Sequence, residues 1–334
     1  MLNTLFPPWP RFTQEEIDAV VQVLQSNRVN YWTGTEGVRF EREFAAWVGA
    51  RHAVALGNGT VALEAAWRAL GIGPGDEVIV TPRSFMASVS CIASVGATPV
   101  FADVDRDTQN LSAATIAPVL TSRTRGILPV HLAGMPCDMD PILEIARAND
   151  LAVVEDCSQA HGARYKGRSV GTLGEVGTWS FCQDKIMTTG GEGGMVTTSR
   201  EDLWSRIWSF KDHGKSWRAV HDTDHAAGFR WLHESFGTNG RMLEVQAVLG
   251  RIQLDRMESW TAQRRANAER IWTAARAVPG LRVPDVPTWA CHAAYKAYVF
   301  VEPDALQTGW DRDRVMTEIA ARGVPCYSGS CAEI

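Results

Sequence analysis

Between residues 50 and 200, short apolar runs alternate with longer amphipathic ones. HAVALGNG (52–59) gives way to TVALEAAWRALGI, PGDEVIVTP (74–82) to SFMASVSCIASVGA, and RGILPVHLAG (125–134) to DMDPILEIARAND (138–150), with TPVFADVD (98–105), LAVVED (151–156) and EVGTWSF (175–181) as further apolar runs. This order predicts strands joined by crossover helices. The runs VIV, PVFA and LAVV show little polar alternation, as expected of strands buried on both faces in a largely parallel sheet. Beyond residue 200 the texture changes. DLWSRIWSFKDHG reads as helix, the stretch to Gly240 is polar and turn-rich, and 241–277 reads as one long amphipathic helix, with Leu243, Val248, Ile252 and Leu254 near helical spacing. VPGLRVPDVP marks a boundary, after which AYKAYVFVE (294–302) and DRDRVMTEIAARG (311–323) predict the start of a smaller α/β unit. The expected organisation is an N-terminal arm and helix over 1–30, a large domain over 31–255 and a small C-terminal domain over 256–334.

Composition narrows the function classes. The 334 residues are 45% hydrophobic and 21% charged, with a net charge of −5, which suits a globular chain and gives no basic footprint for nucleic acid. Seven scattered cysteines without a C-x-x-C spacing argue for a reducing compartment and against structural zinc, and no metal is expected. The N-terminal MLNTLFPPWPRF has no signal-peptide pattern, and no 18-residue apolar stretch occurs. A cytoplasmic protein without a membrane partner is the expectation.

Lysine is scarce: only positions 166, 185, 211, 215 and 296 carry it. Lys185 lies in WSFCQDKIMTTGGEGG, between a strand-like run and the glycines Gly190, Gly191, Gly193 and Gly194, where neither a helix face nor a core needs it. Five residues before it, a strand ends at Ser180. The neighbouring LAVVED strand ends at Asp156, and the carboxyl ends of strands are where open α/β sheets bind ligands. GNGTVALEAAWRAL is a glycine-containing turn leading into a helix, a ready anion site. An amine, a buried acid and a phosphate cup together match pyridoxal phosphate, whose aldehyde forms a Schiff base with lysine and whose ring nitrogen pairs with a carboxylate.

The runs VVEDCSQAHGA, GTWSFCQDKIMTTGGEGG and FGTNGRMLEVQAVLGRIQL, supported by YWTGTEGVRFEREFAAWVG, resemble the DegT/StrS-type sugar aminotransferases, a branch of the fold-type I pyridoxal phosphate enzymes, over residues 28 to 330. The resemblance implies a large cofactor domain with a mostly parallel, seven-stranded mixed sheet and a smaller C-terminal α/β domain. It implies that Lys185 holds the cofactor and shuttles protons, that Asp156 lies beneath the pyridine nitrogen, and that Gln159 is near the ring hydroxyl. Phe85 would cover the ring, and Gly59, Thr60, Val61 and Ser180 would form the phosphate cup. Asn239 would reach the same phosphate from the partner subunit of a homodimer with shared active sites. Trp32, Thr33, His161 and Arg241 are substrate-contact candidates, although His161 reads equally as a packed core histidine.

The implied reaction transfers an amino group from an amino acid, glutamate foremost, to a nucleotide-linked keto-sugar, with pyridoxamine 5′-phosphate as the aminated cofactor. Three alternatives stand: an aminotransferase of a non-nucleotide cyclic ketone, a sugar dehydratase, and a non-catalytic cofactor-binding regulator. Relatives of the dehydratase type replace the lysine by histidine, which Lys185 argues against. The chain departs from the family pattern at Gly240, where an aromatic is common, and in TTGGEGG, which has an extra residue. It also ends earlier than relatives do, so the small domain is expected to be incomplete.

Overall fold

The computed structural model describes residues 6–222, 224, 228 and 233–329. Two helices, α1 (Gln14–Gln25) and α2 (Glu36–Val48), precede the apolar runs. Those runs become β1 (His52–Leu56), β2 (Glu77–Val80), β3 (Thr98–Phe101), β4 (Thr124–Leu128) and β5 (Ala152–Asp156), separated by α3 (Gly59–Leu70), α4 (Ala87–Ser94), α5 (Ala113–Ile116) and α6 (Met139–Ala148). A small hairpin, β6 (Arg164–Tyr165) and β7 (Arg168–Ser169), precedes β8 (Val176–Ser180) and β9 (Gly194–Thr198). Seven strands form one sheet in the order β1-β9-β8-β5-β4-β2-β3. β9 is antiparallel to both its neighbours, and the pairs from β8 to β3 are parallel. The fold is α/β with a mixed, mostly parallel sheet. β2 is buried at every position and β5 at all but its first, as VIV and LAVV predict; PVFA does not follow, because β3 is the edge strand of the sheet and its positions are exposed or half-buried.

One face of the sheet is covered by α3 and α4, where Trp67, Leu63 and Ile92 pack with Trp208 of α7 (Glu201–Lys211). A short α8 (Trp217–His221) lies against α7. The other face packs Trp179 and Phe181 against Phe40 and Phe44 of α2. There the expected single helix over 241–277 is two, α9 (Glu244–Asp255) and α10 (Met257–Arg276). The chain turns at Arg256 (φ −90°, ψ −8°), whose guanidinium pairs with Glu15 and Glu16 of α1 at 2.5 and 3.1 Å. α9 approaches α2 closely: a Cβ on Gly250 would lie 2.5 Å from the Phe40 ring.

The last part is sparsely ordered into elements: β10 (Leu281–Arg282), β11 (Ala290–Cys291), β12 (Phe300–Val301) and α11 (Arg312–Ala320). β10 pairs with β12, and β11 extends the β6–β7 hairpin. The strand expected over 294–302 is confined to Phe300–Val301. Ala294 has a positive φ of 53°, and the amides of Ala293 and Lys296 bond to Gly134 and Ala133, so this stretch is pinned against the loop that follows β4. Among the described residues no helix is long and apolar enough to cross a membrane.

Candidate active site

Strand β5 delivers Asp156 at its carboxyl end, almost fully buried. Its Oδ2 accepts from Ser88 Oγ at 2.7 Å and its Oδ1 from the Ser158 amide at 3.0 Å, while Ser88 is bonded to Ser84 at 2.6 Å. No cation among the described residues pairs with it, so a buried carboxylate is left facing whatever the site holds. Ser84 and Ser88, in the β2–α4 loop and α4, were not singled out from sequence; the S-x-x-x-S spacing in SFMAS was the available signal. Gln159 is buried and its Oε1 accepts the Ala133 amide at 2.8 Å.

The turn into α3 is shaped by Asn58, an extended cap residue whose side chain accepts from the Val61 amide at 2.9 Å. The Val61 amide is thereby engaged, whereas the amides of Gly59 and Thr60 have no acceptor among the described residues. Ser180 is seated directly against this turn: a Cβ on Gly59 would lie 2.7 Å from Ser180 Cβ and 3.1 Å from its Oγ. The glycine block serves the same junction, since a Cβ on Gly194 would lie 2.3 Å from the Asn58 carbonyl oxygen. Gly190 and Gly191 have φ of 85° and 118°, which turn the loop back after Lys185.

Lys185 follows β8, with its side chain 13% exposed and its Nζ 3.9 Å from Asp184 Oδ1 and 5.3 Å from the centre of the Tyr295 ring. Tyr295 donates its hydroxyl hydrogen to Asp184 Oδ2 at 2.5 Å. The Trp9 indole N–H donates to the Lys185 carbonyl at 2.9 Å, which ties the N-terminal arm to the lysine. Phe85 is 59% exposed on the loop before α4, free of the core packing that a lone phenylalanine more often has. His161 is fully buried between Trp179 and Phe181. Both of its ring nitrogens lack a partner, and burial, with the charges of Lys185 and Arg264, pushes its pKa down to about 3. It is therefore packed and neutral.

Asp212, at the end of α7 and fully buried, gathers several of the remaining candidates and was missed in the sequence. Its Oδ1 accepts from Arg241 at 2.7 Å and from the Trp32 indole N–H at 3.2 Å, and lies 3.6 Å from Lys215 Nζ. Its Oδ2 is 3.5 Å from Lys211 Nζ. Burial pushes the Lys211 ammonium down to about 8 and the neighbouring Glu41 carboxyl up to about 7. Asn239 pairs with Asp212 by a backbone bridge, and the residue is exposed. Arg241 keeps one buried, unpartnered Nε. The hub adjoins the α3 turn, because Gly57 donates to Gly240 O at 2.8 Å and a Cβ on Gly240 would lie 3.2 Å from Val61 Cγ1. Thr33 is exposed, and its hydroxyl donates to Asn30 O at 3.2 Å.

His131, Glu155 and Cys157 bring three metal-ligand atoms within 4.8 Å of one another. Glu155, however, accepts the amides of Gly171, Leu173 and Gly174, and His131 bonds Glu155 at 3.0 Å and accepts the Cys137 amide. These bonds make the trio a strut under the loop after β7.

The sequence model of the DegT/DnrJ/EryC1/StrS aminotransferase family matches residues 10–328. The spore coat polysaccharide biosynthesis protein SpsC of Bacillus subtilis (strain 168) is 39% identical over 310 residues, 93% of this chain and 78% of that protein. GDP-perosamine synthase of Caulobacter vibrioides is 42% identical over 258 residues, 76% of this chain and 66% of that protein. The X-ray structure of the aminotransferase from Psychrobacter cryohalolentis superposes with a TM-score of 0.96 at 60% identity, covering 98% of this chain and 85% of that one.

Proposed function

The chain belongs to the DegT/DnrJ/EryC1/StrS aminotransferase family, and on that premise we propose that it moves an amino group from an amino acid, L-glutamate, to a nucleotide-linked keto-sugar. The family depends on pyridoxal phosphate, and the residues here fit that group. The observation that carries the reading is Asp156: a buried carboxylate with hydroxyl and amide donors but no cation among the described residues, at the same sheet edge as Lys185. A protonated ring nitrogen supplies the missing partner. The free amides of Gly59 and Thr60, at the positive end of α3, supply donors for a phosphate.

Bound there, pyridoxal phosphate supplies the electron sink that makes an amino acid's α-hydrogen removable. Asp156, held by Ser88 and the Ser158 amide, would keep a proton on the ring nitrogen, and Phe85 would cover the ring. Lys185 Nζ, with little water around it, takes the α-hydrogen as a proton and returns it. Trp9 holds the Lys185 backbone, and Tyr295 stands beside the amine. Arg241 and Lys215, held on Asp212 beside the α3 turn, offer two cations to a diphosphate, which favours a nucleotide-linked acceptor over a bare cyclic ketone. Asn239 faces outward with Phe236 and Leu243 exposed nearby, which supports a homodimer in which Asn239 completes the partner's phosphate cup. A monomer in sedimentation under assay conditions would remove that last part.

The test is the absorbance of the cofactor-loaded enzyme before and after glutamate. Conversion of the aldehyde form to the amine form is expected, and borohydride should fix the cofactor to the peptide containing Lys185. Labelling at Lys166, Lys211, Lys215 or Lys296 instead would refute the assignment.

A further inference from the structure

Arg264, on α10, is half-buried, and among the described residues it has neither a hydrogen bond nor a carboxylate partner. Its guanidinium lies 5.5 Å from the centre of the Trp9 ring. Burial lowers its pKa below the usual arginine value, and the Tyr295 phenol is the group acting in the other direction. A cation held this way costs free energy that a permanent acid would offset. The acid on this side of Lys185, Asp184, is already taken by the Tyr295 hydroxyl at 2.5 Å.

Three sets of contacts place Arg264 near the segment that carries Lys185. Trp9, which carries the guanidinium, donates to the Lys185 carbonyl at 2.9 Å and packs edge-on against Trp260 of α10 at 5.5 Å. Tyr295 lies 5.3 Å from Lys185 Nζ. Thr261, three residues before Arg264 and so on the same helix face, lies against the loop that carries His161: a Cβ on Gly162 would be 2.6 Å from Thr261 Oγ1. His161 marks the same place with two buried, unpartnered ring nitrogens.

We propose that Arg264 anchors the α-carboxylate of the amino donor. This rests on the aminotransferase reading above. That carboxylate is bonded to the very carbon whose hydrogen Lys185 removes, so its anchor must stand beside Lys185. The phosphates of a nucleotide-linked acceptor lie a sugar ring away from the ketone, where Arg241 and Lys215 already stand on Asp212. A planar guanidinium matches a carboxylate with two parallel N–H bonds, and Arg264 lies over the Trp9 ring. Arg83 is the rival: its Nε is buried without a partner, and its guanidinium lies 5.7 Å from the Tyr298 ring. It is two residues from Phe85, and among the described residues no contact ties it to the Lys185 segment.

The experiment compares cofactor-loaded native enzyme with Arg264→Gln, Arg264→Lys and Arg83→Gln. The probe is 2-methylglutamate, which carries the donor's carboxylate but no α-hydrogen; its dissociation constant is measured by calorimetry, alongside that of pyridoxal phosphate. Loss of charge-assisted bonds predicts binding weaker by about 10- to 100-fold in Arg264→Gln, less weakened in Arg264→Lys, and unchanged cofactor affinity. Should Arg264→Gln fail to fold, the lysine variant carries the comparison. Binding within about threefold of native in both Arg264 variants, or a loss confined to Arg83→Gln, overturns the anchor. A native enzyme whose absorbance responds to no amino acid overturns the aminotransferase reading itself, so the two failures are told apart.

Discussion

Replacing Gly59 by alanine probes the phosphate turn with one methyl group. The added Cβ would stand 2.7 Å from Ser180 Cβ, 3.1 Å from its Oγ and 3.2 Å from its Cα. Carbon atoms in contact prefer about 3.5–4.0 Å, so α3 and the end of β8 must separate by roughly 1 Å. Overpacking of this kind costs about 1–3 kcal/mol, and the better helix propensity of alanine returns about 1 kcal/mol, which leaves a net loss near 0–2 kcal/mol. The effect on binding should be larger than the effect on folding. Moving the Gly59 and Thr60 amides by about 1 Å takes a bond of about 2.9 Å beyond hydrogen-bonding range. Losing one charge-assisted bond is worth about 1.5–3 kcal/mol, or roughly 10- to 100-fold in cofactor affinity. Thermal melts of cofactor-free protein and a titration with pyridoxal phosphate measure the two quantities separately. Gly59→Ala and Ser180→Gly should couple in the melts, because the glycine at 180 removes two of the three clashing atoms. Absence of coupling between Gly59→Ala and Ser180→Gly would refute the contact, and native cofactor affinity in Gly59→Ala would refute the placement of the phosphate.

Asp156→Asn should lower turnover by on the order of 10²-fold or more, the scale of losing one preorganised electrostatic partner, while the cofactor-free protein melts no lower, since its carboxylate has no cation to lose. Near-native turnover would mean another acid faces the ring. For pH, burial raises Glu41 from 4.5 to about 7 in the folded chain, so between those values the folded state binds a proton that the unfolded state does not. Stability therefore falls as pH rises through this window, by about 3 kcal/mol at most from this group. Lys211 is lowered from 10.5 to about 8, so the unfolded state binds more protons between those values and stability rises with pH there. Glu41→Gln should flatten the fall between pH 5 and 7 in urea unfolding; equal slopes in native and variant would sink the assignment.

The parts legible in the sequence were those whose peculiarity is local. β2 is buried at every position and β5 at all but its first, so the absence of alternation in VIV and LAVV reports the sheet directly, whereas PVFA falls on β3, an edge strand with a neighbour on one side only, and is not buried on both faces. Lys185 stood out because lysine is rare here and its neighbours are glycines. What stayed hidden draws its meaning from distant chain. The break at Arg256 leaves no mark in 241–277, because it is set by Glu15 and Glu16, some 240 residues earlier. Asp212 looks like an ordinary acid at a helix end until Trp32 and Arg241, 180 and 29 residues away, close on it.

The glycine block shows why the two kinds of information are not separable. Read in sequence, Gly190 to Gly194 are room for a cofactor beside Lys185. In the fold, Gly194 has no room for a Cβ because the Asn58 carbonyl is there, and Gly59 has none because Ser180 is there. The same contact that excludes the methyl groups brings the α3 amides, the end of β8 and the lysine loop to one point. A residue that only needed flexibility could be replaced by serine or asparagine at modest cost. At Gly194, where the closest atom is a backbone oxygen that cannot rotate away, any side chain must push α3 off the sheet. The loop's composition is thus dictated by a packing contact, and the site's chemistry follows from what that contact assembles.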